Sequence, residues 1–270
     1  MQILNLVNLE KSDIKYTLSR FPDGEVQISL EDFSRKDSTY VKCRITSGEE
    51  LFIVAQIMDI LDRHGVRYYV DIFYLMGMRM DRVMDFNRPF TLKVILQILG
   101  NSNAEQISIL EAHSNVVYDS RFGNKFHALY LPKPDSIDSK YQVVLPDAGA
   151  KKRYTHIFEE SAITCSKVRD QSTGKILEIK VDNPEKLDGR PLMIVDDLCD
   201  GGGTFCGIAE CFKQLGIPKE KLNIKVTHMV NPKGIENLSK HFNHVWFTNS
   251  YKDWENLPEN VTMIKIDEAS

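Results

Sequence analysis

Residues 192–204 read Leu-Met-Ile-Val-Asp-Asp-Leu-Cys-Asp-Gly-Gly-Gly-Thr, and this run limits the possible folds more than any other in the chain. An apolar strand runs into acids, then three glycines and a threonine, and Phe205, Ile208, Ala209, Phe212 and Leu215 follow at helical spacing. A strand that passes through a glycine loop into an amphipathic helix is half of a βαβ unit, which implies a parallel sheet. Glycines let backbone N–H groups close on a ligand without Cβ interference, and the helix start adds the positive end of its dipole. Such a loop, Asp200-Gly201-Gly202-Gly203-Thr204, cradles one phosphate, with the Thr204 hydroxyl as a further donor. Asp196 and Asp197 at the strand's carboxyl end are placed to accept hydrogen bonds from sugar hydroxyls beside it. The alternative is a glycine-rich turn with Asp200 or Thr204 as helix N-cap. There is no Gly-x-x-x-x-Gly-Lys-Ser/Thr, and the glycines do not fit Gly-x-Gly-x-x-Gly.

The rest of the chain repeats the alternation. Strands are expected at 26–30, 41–45, 68–74, 107–111, 142–145, 192–195, 224–230 and 245–248, and at the N-terminus, which lacks a basic leader pattern. Between them, Leu51, Val54, Ile57, Met58 and Leu61 form one helical stripe, and Leu92, Ile95, Leu96 and Leu99 another. The two prolines of Leu131-Pro132-Lys133-Pro134-Asp135-Ser136 mark a boundary, giving domains 1–134 and 135–270. The fold class is therefore α/β, with two domains whose mostly parallel sheets are flanked by helices. With 34 basic and 38 acidic residues, a nucleic-acid surface is not expected as the chain's main business. No apolar run approaches a membrane span. The five cysteines contain no Cys-x-x-Cys and are odd in number, so neither a zinc site nor a disulfide framework is supported. The expected compartment is the reduced cytoplasm.

The strand, the acid pair and the Asp-Gly-Gly-Gly-Thr loop resemble the phosphoribosyl-pyrophosphate motif of type I phosphoribosyltransferase folds. Further segments narrow the resemblance to the ribose-phosphate pyrophosphokinases, over about residues 21–235. Phe21-Pro22-Asp23-Gly24-Glu25, itself a turn signal, resembles that family's Phe-x-Asp-Gly-Glu loop. Tyr74 to Arg82 resembles its Tyr-x-Gly-x-Ala-Arg-Gln-Asp-Arg stretch, with Met80 in place of Gln. Glu111-Ala112-His113 stands where the family has Asp-x-His. Pro146-Asp147-Ala148-Gly149-Ala150-Lys151-Lys152-Arg153 resembles its Pro-Asp-x-Gly-x-x-Lys-Arg run, although Asp147 reads equally as a helix N-cap and Lys152 and Arg153 as a solvated helix face. Lys167 and Arg169 form its Lys-x-Arg; alternating in a strand, they point along one face.

The resemblance implies two phosphoribosyltransferase-like domains related as a pseudo-repeat. It implies transfer of the β,γ-diphosphate of ATP to C1 of ribose 5-phosphate, giving phosphoribosyl pyrophosphate and AMP. Lys167 and Arg169 would stabilise the transition state, opening a mobile loop with its tip at 171–174. The N-terminal domain would contribute ATP contacts from Phe21, Asp23, Glu25, Arg79, Asp81 and His113. Asp196, Asp197 and residues 200–204 would hold ribose 5-phosphate, and Mg²⁺ would meet His113 and Asp147. A homo-oligomer, dimer or hexamer, would share the ATP site between subunits, because the Phe21 loop of this family serves a neighbour. The chain ends short of typical members, so an abbreviated C-terminal strand is expected. Three rivals use parts of the same motif set: a transferase consuming phosphoribosyl pyrophosphate, a non-catalytic regulatory relative, and a ligand-sensing gene regulator. The last would need an added DNA-binding domain.

Overall fold

The computed structural model describes residues 1–119, 124–131, 140–154, 157–158, 162–169 and 176–266, leaving aside the side chains of 168, 169 and 176–178. The chain divides into two compact units, Met1–Leu131 and Pro132–Ser270. The proline-containing stretch 132–136 lies outside the described residues.

In the first unit, β1 (Gln2–Asn5), β4 (Thr39–Ile45), β5 (Tyr68–Leu75), β6 (Gln106–Leu110) and β7 (Phe126–Leu129) form one sheet in that order. Every neighbouring pair in it is parallel. Helices α1 (Gly48–Arg63) and α2 (Thr91–Gly100) connect β4 to β5 and β5 to β6. The apolar stripes read from the sequence are buried on both helices. Strands β2 (Lys15–Arg20) and β3 (Val26–Glu31) pair antiparallel as a separate hairpin. Gln56 of α1 accepts from the Ile28 amide and donates to the Val26 carbonyl, so its carboxamide closes part of the hairpin's edge.

The second unit holds a seven-stranded sheet ordered β10-β9-β8-β11-β12-β13-β14. Its strands are β8 (Gln142–Leu145), β9 (Ile163–Arg169), β10 (Ile176–Val181), β11 (Leu192–Cys199), β12 (Leu222–Met229), β13 (His244–Thr248) and β14 (Val261–Ile264). Only β9 and β10 pair antiparallel. Helices α3 (Ala148–Tyr154), α4 (Gly203–Gln214) and α5 (Pro232–His241) follow β8, β11 and β12. Phe205, Ile208, Ala209 and Phe212 of α4 are buried, but Leu215, expected in the same stripe, lies past the helix end and is 47% exposed. Strand β11 also runs four residues further than the apolar run predicts. Parallel pairing through Cys199↔Met229 keeps the chain extended across both aspartates.

The pseudo-repeat is visible strand by strand. Five parallel strands stand in the order β1-β4-β5-β6-β7 in one unit and β8-β11-β12-β13-β14 in the other. Each unit inserts an antiparallel pair between its first and second members, β2–β3 and β9–β10. Among the described residues no helix is long and apolar enough to cross a membrane.

Candidate sugar-phosphate and nucleotide sites

In the second unit the carboxyl ends of β8, β9 and β11 bring the predicted residues to one edge of the sheet. Beyond β11 the loop Asp200-Gly201-Gly202 enters α4, whose N-cap is Gly202 at φ 80°, a residue with no side chain to bond the first-turn amides. That left-handed conformation favours glycine. The corresponding junction of the first unit is closed differently. Ser47 caps α1, and the Glu50 carboxylate accepts from the Thr46 amide and hydroxyl, both 2.6 Å, and from the Ser47 amide, 3.1 Å. A carboxylate there already occupies the place an anion would take.

Asp197 is buried and Asp196 nearly so. Arg153, from the last turn of α3, reaches both with Nη1, 2.6 Å from Asp197 Oδ1 and 3.4 Å from Asp196 Oδ1. Its side chain is only 10% exposed. The sequence reading of Arg153 as part of a solvated helix face is therefore corrected: the partner carboxylates lie 43 and 44 residues away and draw it inward. Burial pushes the Asp196 carboxyl well above its ordinary range, and the adjacent Asp197 charge pushes the same way, with Arg153 offsetting only part.

Asp147 does two things. Its Oδ1 accepts the Ala150 amide at 2.9 Å, so it is the N-cap of α3, and its Oδ2 pairs with the Lys167 ammonium. Burial would raise this carboxyl, but Lys167 and the cap amide outweigh it and hold it below the usual carboxylate range. Lys167 sits near the end of β9, and a cavity of about 440 Å³ opens beside it, lined by Asp147, Gly149, Lys151, Thr164, Ser166 and Asp182. The backbone of Arg169 continues β9, while its side chain and the expected loop tip at 171–174 lie outside the described residues.

Three residues that sequence reading passed over support the Asp200–Gly202 loop from α5 and its N-cap. Asn231 Nδ2 donates to Asp200 Oδ1 and Asn237 Nδ2 to the Gly201 carbonyl, both at 2.8 Å. A Cβ on Gly234 would stand 2.2 Å from the Asp200 carbonyl oxygen, so only glycine allows this approach. A glycine followed three positions later by an asparagine, both inside a helix that neither favours, was the available signal.

In the first unit the loops after β5 and β6 are tied together. Ser114 Oγ donates to Asp81 Oδ2 at 2.8 Å, and the His113 amide to Met78 Sδ at 3.4 Å. Gly77 takes φ 80° with the Ile95 side chain close beneath it. Strand β6 ends at Leu110, one residue before the expected limit, because Glu111 adopts φ 38°, and this left-handed kink redirects the chain toward His113. Arg79 and Met80 are exposed, with the Thr91 hydroxyl donating to Met80 Sδ. At the hairpin tip, Phe21 and Glu25 are joined by a backbone bond, Gly24 takes φ 95°, and Phe21, Asp23 and Glu25 are exposed. The turn reading is thus correct for the backbone and leaves these side chains outward. Among the described residues no three His, Cys, Asp or Glu side chains converge on a cation position.

Two sheets that share an order of five parallel strands define a phosphoribosyltransferase-like α/β fold. Within that class the chain is similar in sequence to the ribose-phosphate pyrophosphokinases. It is 27% identical to that of Pyrococcus furiosus over 267 residues, 92% of this chain and 88% of that protein. It is 25% identical to that of Pyrococcus abyssi, covering 97% and 88%, and 27% identical to that of Vibrio vulnificus, covering 74% and 67%. The phosphoribosylpyrophosphate synthetase of Mycobacterium smegmatis shares the fold at a TM-score of 0.77, 18% identity, over 96% of this chain and 89% of that one. No family model matches the chain.

Proposed function

We propose that this chain is a ribose-phosphate diphosphokinase that transfers the β,γ-diphosphate of ATP to C1 of ribose 5-phosphate. The observation that carries the reading is the edge of the second unit, where a helix start without a side-chain cap faces its loop beside a buried acid pair. A phosphate ester takes the N–H groups and dipole of the loop and α4. The ribose hydroxyls donate to Asp196 and Asp197. The C1 oxygen attacks the β-phosphorus, the bond from that phosphorus to the oxygen of the α-phosphate breaks, AMP leaves, and the hydroxyl proton passes to solvent. Lys167 and Arg169 stabilise the charge that develops on the transferring group. Lys167 must first leave Asp147, and a diphosphate with more negative charge than one carboxylate supplies the attraction for that exchange.

The N-terminal unit contributes nucleotide contacts through Arg79, Asp81 and His113, and the Phe21, Asp23 and Glu25 tip serves a neighbouring subunit in a dimer or larger ring. The likeness to the pyrophosphokinases supports this assignment, and the enzyme works in the cytoplasm. The residues present would fit a magnesium ion brought by the ATP phosphates, since this small hard cation needs only one or two protein carboxylates beside phosphate and the second unit offers the Asp147 carboxylate. Asp147 is its proposed protein contact. When bound, magnesium neutralises phosphate charge.

Incubation with ATP, Mg²⁺ and ribose 5-phosphate is expected to yield AMP and phosphoribosyl pyrophosphate in equal amounts. A protein that forms no AMP from ATP, yet consumes phosphoribosyl pyrophosphate with a nucleobase, would be a transferase and would refute the proposal.

A further inference from the structure

We propose that α5 is the template that turns the phosphate loop's N–H groups outward, with Asn237 and Asn231 as positioning residues; this rests on the reading of that loop as the ribose 5-phosphate site. The peptide bonds of the described chain are all trans, so each carbonyl and the following N–H point in opposite directions. The Gly201 carbonyl is held on Asn237 Nδ2 at 2.8 Å, which aims the Gly202 N–H away from α5. The Asp200 carbonyl lies over Gly234, closely enough that a Cβ there would approach to 2.2 Å, which aims the Gly201 N–H the same way. Two successive N–H groups thus face the side opposite α5, the concave arrangement that binds anions.

The supports are separable. A Cβ on Gly202 would meet Leu238 Cδ2 at 3.4 Å and Asn237 Cβ at 3.6 Å, so the loop rests directly on this helix face. Asn231 caps α5 with Oδ1, which accepts the Lys233 amide at 3.0 Å, while its Nδ2 holds the Asp200 carboxylate. That bond keeps the carboxylate beside α5 and off the anion's side of the loop. Neither asparagine touches the sugar phosphate; both act through the loop's backbone.

The test uses the full chain and Asn237→Ala, Asn237→Asp and Asn231→Asp. The first removes the donor, the second sets a carboxylate against the Gly201 carbonyl, and the third keeps the helix cap while losing the hold on Asp200. Calorimetric binding of ribose 5-phosphate should weaken about tenfold in Asn237→Ala, as expected for one lost hydrogen bond, and further in Asn237→Asp. KM for ribose 5-phosphate should rise in parallel, with kcat and KM for ATP within about threefold of the parent. Asn231→Asp should show the same split with an unchanged melting temperature. Ribose 5-phosphate affinities within twofold of the parent in all three variants would overturn the proposal, as would a fall in kcat alone. A parent that binds ribose 5-phosphate but makes no AMP, with Asn237→Ala weakening that binding, would refute the proposed reaction and uphold the template. A parent that does not bind ribose 5-phosphate would overturn both.

Discussion

Replacing Arg153 with leucine discriminates between the folded arrangement and an exposed basic helix face. The guanidinium is 10% exposed and bonds Asp197, whose side chain is 2% exposed, and it also reaches Asp196. Leucine leaves two carboxylates in a site that water barely reaches, without their cation. Removal of one partner from such a buried pair costs about 3–5 kcal/mol. A domain of this size loses roughly 3 °C of melting temperature per kcal/mol, so the transition should fall by about 10–15 °C at pH 7. An exposed helix-face arginine would cost no more than about 0.5 kcal/mol. The penalty must also depend on pH. Without Arg153, which offsets part of the rise, the folded-state pKa of Asp196 lies further above its unfolded value. A raised acid destabilises above its folded pKa, and this loss is relieved as pH falls through that value. The gap between parent and variant should therefore be widest at pH 7–8 and narrow toward pH 4. Adding Asp197→Asn to Arg153→Leu should recover at least half the loss. Thermal unfolding followed by circular dichroism from pH 4 to 8 makes the measurement. A shift below 3 °C at pH 7, or one of equal size at every pH, would refute the reasoning.

Lys167→Ala and Arg169→Ala should each lower kcat by about 10²-fold or more while ribose 5-phosphate affinity changes far less; near-normal turnover would remove them from the mechanism. Asp196→Asn should raise the melting temperature above neutral pH, because burial and Asp197 lift this acid, and the gain should vanish below the ordinary aspartate range; a gain that persists there would contradict the assignment. If the hairpin tip serves a neighbour, an inactive Phe21→Ala/Glu25→Ala protein mixed with an inactive Lys167→Ala/Arg169→Ala protein should regain activity once subunits exchange. Confirmed exchange without activity would place both sets in one chain's site.

Elements with a strong apolar signal were legible before folding. Strand β8 matches its expected limits, since four buried residues run into a proline and a capping aspartate. The stripes of α1 and α2 are equally plain. Strand β2 was missed because nearly all of its residues are exposed, leaving no alternation to read. The extension of β11 was missed because its last four residues include two acids and owe their extended form to β12. Arg153 looked like solvent-facing charge for a different reason: a basic residue in a last helical turn is ordinary, and only the fold brings Asp197 to it. Within the site, residue type announced the loop and the acids, whereas the residues that orient them left only the weak signal of Gly234 and Asn237 in a helix that favours neither.

The two repeats differ in how the helix start is satisfied, which bears on the proposed phosphate site. Both place a strand, a short connection and a helix start at the carboxyl edge of a parallel sheet. At the first, the Glu50 side chain returns to the Thr46 and Ser47 amides, so negative charge, hydrogen bonds and dipole are satisfied within the chain. At the second, the helix is capped by a glycine, which has no side chain to reach its first amides. The carboxylate nearest this loop is instead held by Asn231, against α5. An anion from solution must displace Glu50 at the first junction, whereas the capping residue at the second carries no carboxylate. On the proposed reading, one sugar-phosphate site per chain needs no difference in fold, only the choice between a glutamate in the first turn and a run of three glycines.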